Sequence, residues 1–236
     1  MNVRIIGAGR AGNSFALALQ RVGIATEVLR RGDAVGRAAQ NVDAVLIATP
    51  DGAIQTVAEA IAPGDAVVMH CSGATGLDVL GPHQRCGSIH PLMALPDELT
   101  GAARLTANGW FAVAGDPMAT RLADELGGRS FAVADEKRAL YHATAAVAAN
   151  HLVALLGQVE RLAEAVDVPI EAFLDLARGS FHDVEAAGAR AALTGPAARG
   201  DTDTIAAHVE ALPADERDLY DALVAAARRL VEPGED

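Results

Sequence analysis

Lysine is almost missing from this chain: of its 19 basic residues only Lys137 is a lysine. Aromatic residues are scarce too, at 3% of 236, so a core has to be assembled from Ala, Val, Leu and Ile. Two cysteines, Cys71 and Cys86, are too few for a disulfide framework. Positive charge is outweighed to a formal net charge of −12, which argues against a nucleic-acid surface and against binding to anionic lipid. Neither H-E-x-x-H nor a paired C-x-x-C occurs among the seven histidines and two cysteines, so no metal site is expected. No charged-then-apolar leader precedes the first apolar stretch at Val3, and no apolar run is read as long enough to span a membrane. The expectation is a cytoplasmic protein without a nucleic-acid or membrane partner.

What is present begins at once. Val3-Arg4-Ile5-Ile6 runs straight into Gly7-Ala8-Gly9-Arg10-Ala11-Gly12, and an Ala/Leu-rich segment follows from Asn13 to Arg21. In such a G-x-G-x-x-G turn, Gly7 makes the tight bend, Gly9 admits a pyrophosphate close to the backbone, and Gly12 lets helix pack on strand. The helix start then offers free N–H groups and a positive dipole end to phosphate. Strand before and helix after are the context that the motif requires.

Residues 1–134 alternate short apolar strands with helical segments, the pattern of an α/β domain with a doubly wound parallel sheet. Strands are expected at Val3–Ile6, Ala25–Leu29, Ala44–Ala48, Ala66–His70, Cys86–Ile89, Trp110–Ala114 and Ser130–Val133. Helical or part-helical crossovers are expected at Asn13–Arg21, Gly52–Ile61, Leu77–Leu80 and Met118–Leu126. Residues 135–236 read as a second, all-helical domain. Asp135 is placed to cap a long helix to about Val166, with a middle, Ala143 to Leu156, apolar enough to be buried on most sides. Further helices are expected around Ile170–Ala177, His182–Leu193, Thr202–Leu212 and Ala214–Val231.

Ligands of open α/β sheets lie at the carboxyl ends of the strands. At the second strand's end, where an acid would hold an NAD ribose, stand Arg30 and Arg31; a guanidinium suits a 2′-phosphate. NADP(H) is therefore the expected cofactor, while the rival Glu27 falls mid-strand. Thr49 and Pro50 turn the chain past the pyrophosphate, and Ser72 and Gly73 offer donors after the fourth strand. His90 closes the fifth strand as a candidate proton donor or carboxylate ligand. The apolar helix supplies Tyr141, His142 and Asn150; the last two stand roughly 80° apart around a regular helix and about 12 Å along it, so both can line one cleft. Thr194, Gly195, Arg199 and Asp201 form a helix-breaking turn that can receive a substrate carboxylate, with Asp201 or Thr202 capping the next helix.

In their order along the chain these segments resemble a family of Rossmann-type oxidoreductases whose helical C-terminal domain long carried no assigned function. That family is a branch of the 6-phosphogluconate dehydrogenase-like superfamily, near pyrroline-5-carboxylate and ketopantoate reductases. The resemblance implies an NADP-dependent reductase, substrate held between two domains, and a homodimer formed through the helical domain. The uniformly apolar helix points to the same dimer. Many β-hydroxyacid dehydrogenases of that superfamily use a lysine four residues before the helix asparagine, and that position is Ala146 here. Either a histidine, His142 or His90, protonates the alkoxide, or the substrate is an imine; His142 is the more economical donor. The expected function is NADPH-dependent reduction of a small carboxylate-bearing ketone or imine such as ketopantoate or pyrroline-5-carboxylate. The alternative is a non-catalytic NADP(H) sensor.

Overall fold

The computed structural model describes residues 1–231. Its first unit is built on a seven-stranded sheet: β1 (Asn2–Ile6), β2 (Ala25–Leu29), β3 (Ala44–Ile47), β4 (Val67–His70), β5 (Cys86–Pro91), β6 (Trp110–Gly115) and β7 (Arg129–Ala132). The spatial order is β2-β1-β3-β4-β5-β6-β7, so the order reverses between β1 and β3. Alternate residues of each strand face opposite sides. Val3 and Ile5, Leu46, Val67 and Met69 enter one core with Phe15 and Leu19 of α1 (Arg10–Arg21). Val45, Ile47 and Val68 enter the other, with Ile54 and Ala58 of α2 (Ile54–Ala60). Each fully buried Leu, Ile or Phe among them contributes about 1.5–3 kcal/mol, which is how a chain so poor in aromatics still forms a core.

The parallel sheet expected from the sequence needs one correction: β5 and β6 run antiparallel. Their connection starts after Pro91 and ends before Trp110, residues at the same edge of the sheet, since Pro91 pairs with Phe111. A link that returns to its own edge reverses the strand direction. That link holds α3 (Glu98–Leu105), a helix the sequence reading missed; it packs against α1, and the Asp97 side chain caps it by accepting the Thr100 N–H at 2.8 Å. The segment around Leu77–Leu80 is a single 3-10 turn, Asp78–Leu80. After β6 come α4 (Met118–Glu125) and β7, parallel to β6.

Contacts divide the chain into Met1–His151 and Leu152–Asp236, so residues 135–151, expected in the second domain, lie with the first unit. Asp135 does not cap the helix. Its carboxylate takes the Arg138 Nε–H at 2.6 Å and the Leu77 N–H at 3.4 Å instead. After this 3-10 start come α5 (Arg138–Ala146), a π-helical segment Val147–His151, and α6 (Leu152–Ala165). The middle of this run is not buried: Ala143, Thr144, Val147 and Asn150 are exposed. The run Asp135–Ala165 also corrects the reading of apolar length, since an 18-residue window within it has a mean hydropathy of 1.4, which makes it long and apolar enough to cross a membrane by length and composition.

In the second unit, α7 (Ile170–Ala187) replaces two expected helices, because Gly179 is accommodated inside it. Short α8 (Ala189–Ala192) and α9 (Pro196–Arg199) precede α10 (Thr202–Ala211) and α11 (Arg217–Val231). Glu216, nearly buried, pairs with Arg161, and its carbonyl accepts the Gln158 amide at 2.8 Å. Residues 232–236 of the expected helical domain lie outside the described residues.

Candidate active site

The first site is a cradle at the switch point between β1 and β3. Gly7 takes φ +114°, and a Cβ there would lie 2.6 Å from the Ala48 carbonyl oxygen. A Cβ on Gly12 would run into the Gly7 carbonyl, so the start of α1 can close on β1 only without a side chain. Gly9, the N-cap, has none to offer, and the first α-helical bond runs from Asn13 N–H to Gly9 at 3.0 Å. The N–H groups of Arg10, Ala11 and Gly12 therefore lack helical acceptors, which suits them to an anion. Asn13 was not foreseen; its amide donates to the Ala8 carbonyl at 3.1 Å and pins the glycine turn.

A cavity of about 790 Å³ opens beside this turn, lined by Gly7, Gly9, Arg30, Arg31, Thr49 and Pro50 among others. Arg30 and Arg31 are exposed and form no ion pair among the described residues. Asp33 organises their loop by accepting the Arg30 N–H at 2.6 Å. Glu27 falls mid-strand as expected and is committed to Arg4, 2.7 Å away. The Thr49 hydroxyl is buried without a hydrogen-bond partner among the described residues. A buried orphan hydroxyl in a cavity walled by two free guanidinium groups and glycine N–H groups is what a phosphorylated ligand would satisfy. The cradle fits a dinucleotide: N–H groups for the pyrophosphate, Thr49 for a polar atom beside it, and Arg30 and Arg31 for a 2′-phosphate.

Ser72 does not join that cavity. Its hydroxyl bonds Thr75 Oγ1 at 2.8 Å and accepts the Thr75 N–H at 3.1 Å, closing its own loop. His70, fully buried, braces the loop from beneath: Nδ1 accepts the Ser72 N–H and Nε2 donates to the Gly76 carbonyl, both at 3.2 Å. Burial holds its pKa down to about 4, so the ring is neutral.

The second cavity, about 530 Å³, belongs to the same unit and is lined by His90, Phe131, Tyr141, His142 and Asn150, with aliphatic walls and no charged side chain. Ile89 points into the first core, so Ser88 and His90 both face the other way. His90 Nδ1 lies 2.7 Å from the Tyr141 hydroxyl, with the rings edge to face. The His142 ring stands 6.0 Å from that of His90. Burial, then the neighbouring His142, lowers the His90 pKa to about 4, and burial raises that of Tyr141 to about 12. The π-helical turn carries Asn150, so its direction from His142 differs from the regular-helix estimate, yet both line the cavity.

Beneath lies Arg138, 3% exposed, which sequence reasoning overlooked although the Asp135–Arg138 spacing advertises an i,i+3 pair. Besides Asp135 it donates to the Ser88 hydroxyl at 2.7 Å.

The third predicted set lies in the second unit. Gly195 (φ +90°) and Gly200 (φ +68°) bracket α9, and Asp201 caps α10 by accepting the Thr204 N–H at 3.0 Å and its hydroxyl at 2.8 Å. That commits the Asp201 carboxylate to the turn. Arg199 is exposed, with Asp201 4.0 Å away. Thr194 lines a cavity of about 420 Å³ with Pro196, Ile205, His208, Tyr220 and Leu223.

Solved structures share this fold. A Bacteroides fragilis protein provisionally described as an NADP oxidoreductase has a TM-score of 0.80 at 19% identity, covering 97% of this chain and 98% of its own. Protein TM1727 from Thermotoga maritima has a TM-score of 0.75 at 23% identity, with the same 97% and 98% coverage. Plasmodium falciparum pyrroline carboxylate reductase, solved with NADP bound, has a TM-score of 0.64 at 10% identity and covers 98% of each chain. The fold is thus an α/β sheet of Rossmann type followed by helices. None of the curated proteins matches the sequence. Residues 110–227 match the family described as a domain of unknown function, DUF2520, and the chain belongs to that family.

Proposed function

We propose that this protein is an NADPH-dependent reductase of a small carboxylate-bearing ketone or imine, ketopantoate and pyrroline-5-carboxylate being the first compounds to try. One observation carries the reading: among the described residues the Thr49 hydroxyl has no hydrogen-bond partner and Arg30 and Arg31 no ion pair, and all three line a cavity at the same strand edge as a separate, uncharged pocket around His90. The Plasmodium relative's bound NADP supports the choice of cofactor. When bound, the dinucleotide supplies hydride; the protein's own groups bind, orient and handle the proton. Gly7, Gly9 and the first-turn N–H groups of Arg10, Ala11 and Gly12 hold the pyrophosphate, and Arg30 with Arg31 holds the 2′-phosphate. Asn150 orients the substrate, and the His90–His142 pair lies beside it as the source of a proton. Arg199 is the cation available to a carboxylate.

The same reading takes the protein as cytoplasmic and as a symmetric homodimer joined through residues 135–236. Within the second unit Val153 and Leu176 are each 69% exposed, apolar positions that a second copy would cover. A panel of keto acids and cyclic imines, followed by loss of NADPH absorbance, tests the activity. Substrate-dependent oxidation is expected; NADPH binding without turnover on any compound would favour the sensor reading, which Ala146 in place of a lysine supports.

A further inference from the structure

His90 reaches the second cavity with one ring nitrogen already committed. Its Nδ1 is held by the Tyr141 hydroxyl at 2.7 Å, while Nε2 has no hydrogen-bond partner among the described residues. The Nε2 edge lies beside Gly73, where an added Cβ would stand 2.8 Å from Nε2 and Cε1 and 2.9 Å from His142 Cδ2, so a side chain at residue 73 would crowd both rings. His142, by contrast, is exposed and makes no side-chain hydrogen bond among the described residues.

We propose that His90 and Tyr141 form a two-proton relay, in which His90 Nε2 protonates the reduced substrate oxygen while the Tyr141 hydroxyl refills Nδ1. This rests on the reductase reading above.

The chemistry balances. Once the carbonyl carbon has gained the hydride that a bound dinucleotide would supply, the C=O π pair is an alkoxide lone pair. The alkoxide takes the Nε2 proton, and the N–H bonding pair moves into the ring as its double bonds shift. Nδ1 then bonds the Tyr141 proton, leaving a phenolate, which is less basic than the alkoxide it replaced. Afterwards Nδ1–H returns its proton to the phenolate, and Nε2 takes a proton from water, whose hydroxide leaves to solvent. A neutral imidazole cannot act alone here, because giving up Nε2–H without gaining a proton at Nδ1 would leave an imidazolate. Burial keeps His90 neutral, which makes the tyrosine necessary.

Arg138 explains how the phenolate is tolerated. Its buried guanidinium opposes the effect of burial on the Tyr141 phenol and favours the charged form. It is fixed by Ser88, two residues before His90, and itself lies three residues before Tyr141. One strand and one helix therefore carry both contacts, and the first sets the register of the second. Tyr141 acts through His90 and is a positioning residue; His90 is the one that touches substrate. The relay is needed for a ketone, whereas an imine that arrives protonated accepts hydride without it.

The decisive measurement is ¹⁵N NMR of the histidine rings in the full chain, with and without NADPH. The expected result is a neutral Nε2–H tautomer for His90 that loses its strong preference in Tyr141→Phe. An Nδ1–H tautomer or an imidazolium at neutral pH in the wild type overturns the relay, whether or not a substrate is known. On a turned-over ketone, Tyr141→Phe should lower kcat by about 10²-fold. NADPH affinity should be unchanged, and the solvent-isotope profile should change from two protons in flight to one. A wild-type rate and profile in Tyr141→Phe also overturns it. Failure to bind NADPH would remove the reductase reading without moving the tautomer, so the two failures are distinguishable.

Discussion

Arg138 donates to the Ser88 hydroxyl at 2.7 Å in a setting where the arginine is only 3% exposed. A buried guanidinium is tolerated when its partners are in place, and removing one partner costs more than the pair is worth. Asp135→Asn strips the charge partner and should destabilise the fold by about 1.5–3 kcal/mol, the range for a hydrogen bond to a charged group. Arg138→Met should cost less, because the carboxylate it leaves behind is half exposed. Urea unfolding of the two variants decides the order, and Arg138→Met being the less stable would contradict it.

His70 and His90 set a pH dependence. Both are held near about 4 in the folded chain, against 6.5 for an ordinary histidine, chiefly by burial. Between those values the unfolded chain binds more protons than the folded one, so stability falls as pH drops below about 6.5 and this contribution levels off below about 4. Denaturation midpoints should therefore be lower at about pH 5 than at about pH 7, before most carboxylates titrate. Equal midpoints would show that neither ring is buried neutral.

Gly73 offers a substitution that adds one methyl group and removes no chemical group from the site. In Gly73→Ala the new Cβ crowds His90 Nε2 at 2.8 Å and His142 Cδ2 at 2.9 Å. Turnover should fall by about 10²-fold, the scale of a misplacement of about 1 Å, with NADPH binding little altered. Wild-type turnover in this variant would mean that the Nε2 edge is not where substrate approaches.

For assembly, light scattering at micromolar concentration should give twice the chain mass. Leu176→Asp, on the exposed face of α7, should shift it toward the monomer. A monomeric wild type that stays monomeric with NADPH would contradict the dimer.

All seven strands were legible, because runs such as Val45–Ile47 and Val67–Met69 are buried on both faces and so read as unbroken apolar stretches. The glycine turn was equally plain, since its geometry is local, and Arg30 and Arg31 follow β2 as read. The antiparallel return of β6 was not, because strand direction is set by where α3 docks on α1, a long-range contact without a local mark. Asp97 could have revealed α3 as a cap. The His90–Tyr141 and Ser88–Arg138 contacts were invisible for the same reason: each joins residues about fifty positions apart. The apolar helix was read as buried because composition reports what a surface needs, not whether the same chain covers it.

The central claim is tested most directly by calorimetric titration of the wild-type protein and Arg30→Asp with NADPH and NADH. The expected result is tighter binding of NADPH than of NADH by the wild type, with Arg30→Asp losing about 1.5–3 kcal/mol of NADPH affinity. Equal affinity for the two dinucleotides, or no binding of either, would contradict it.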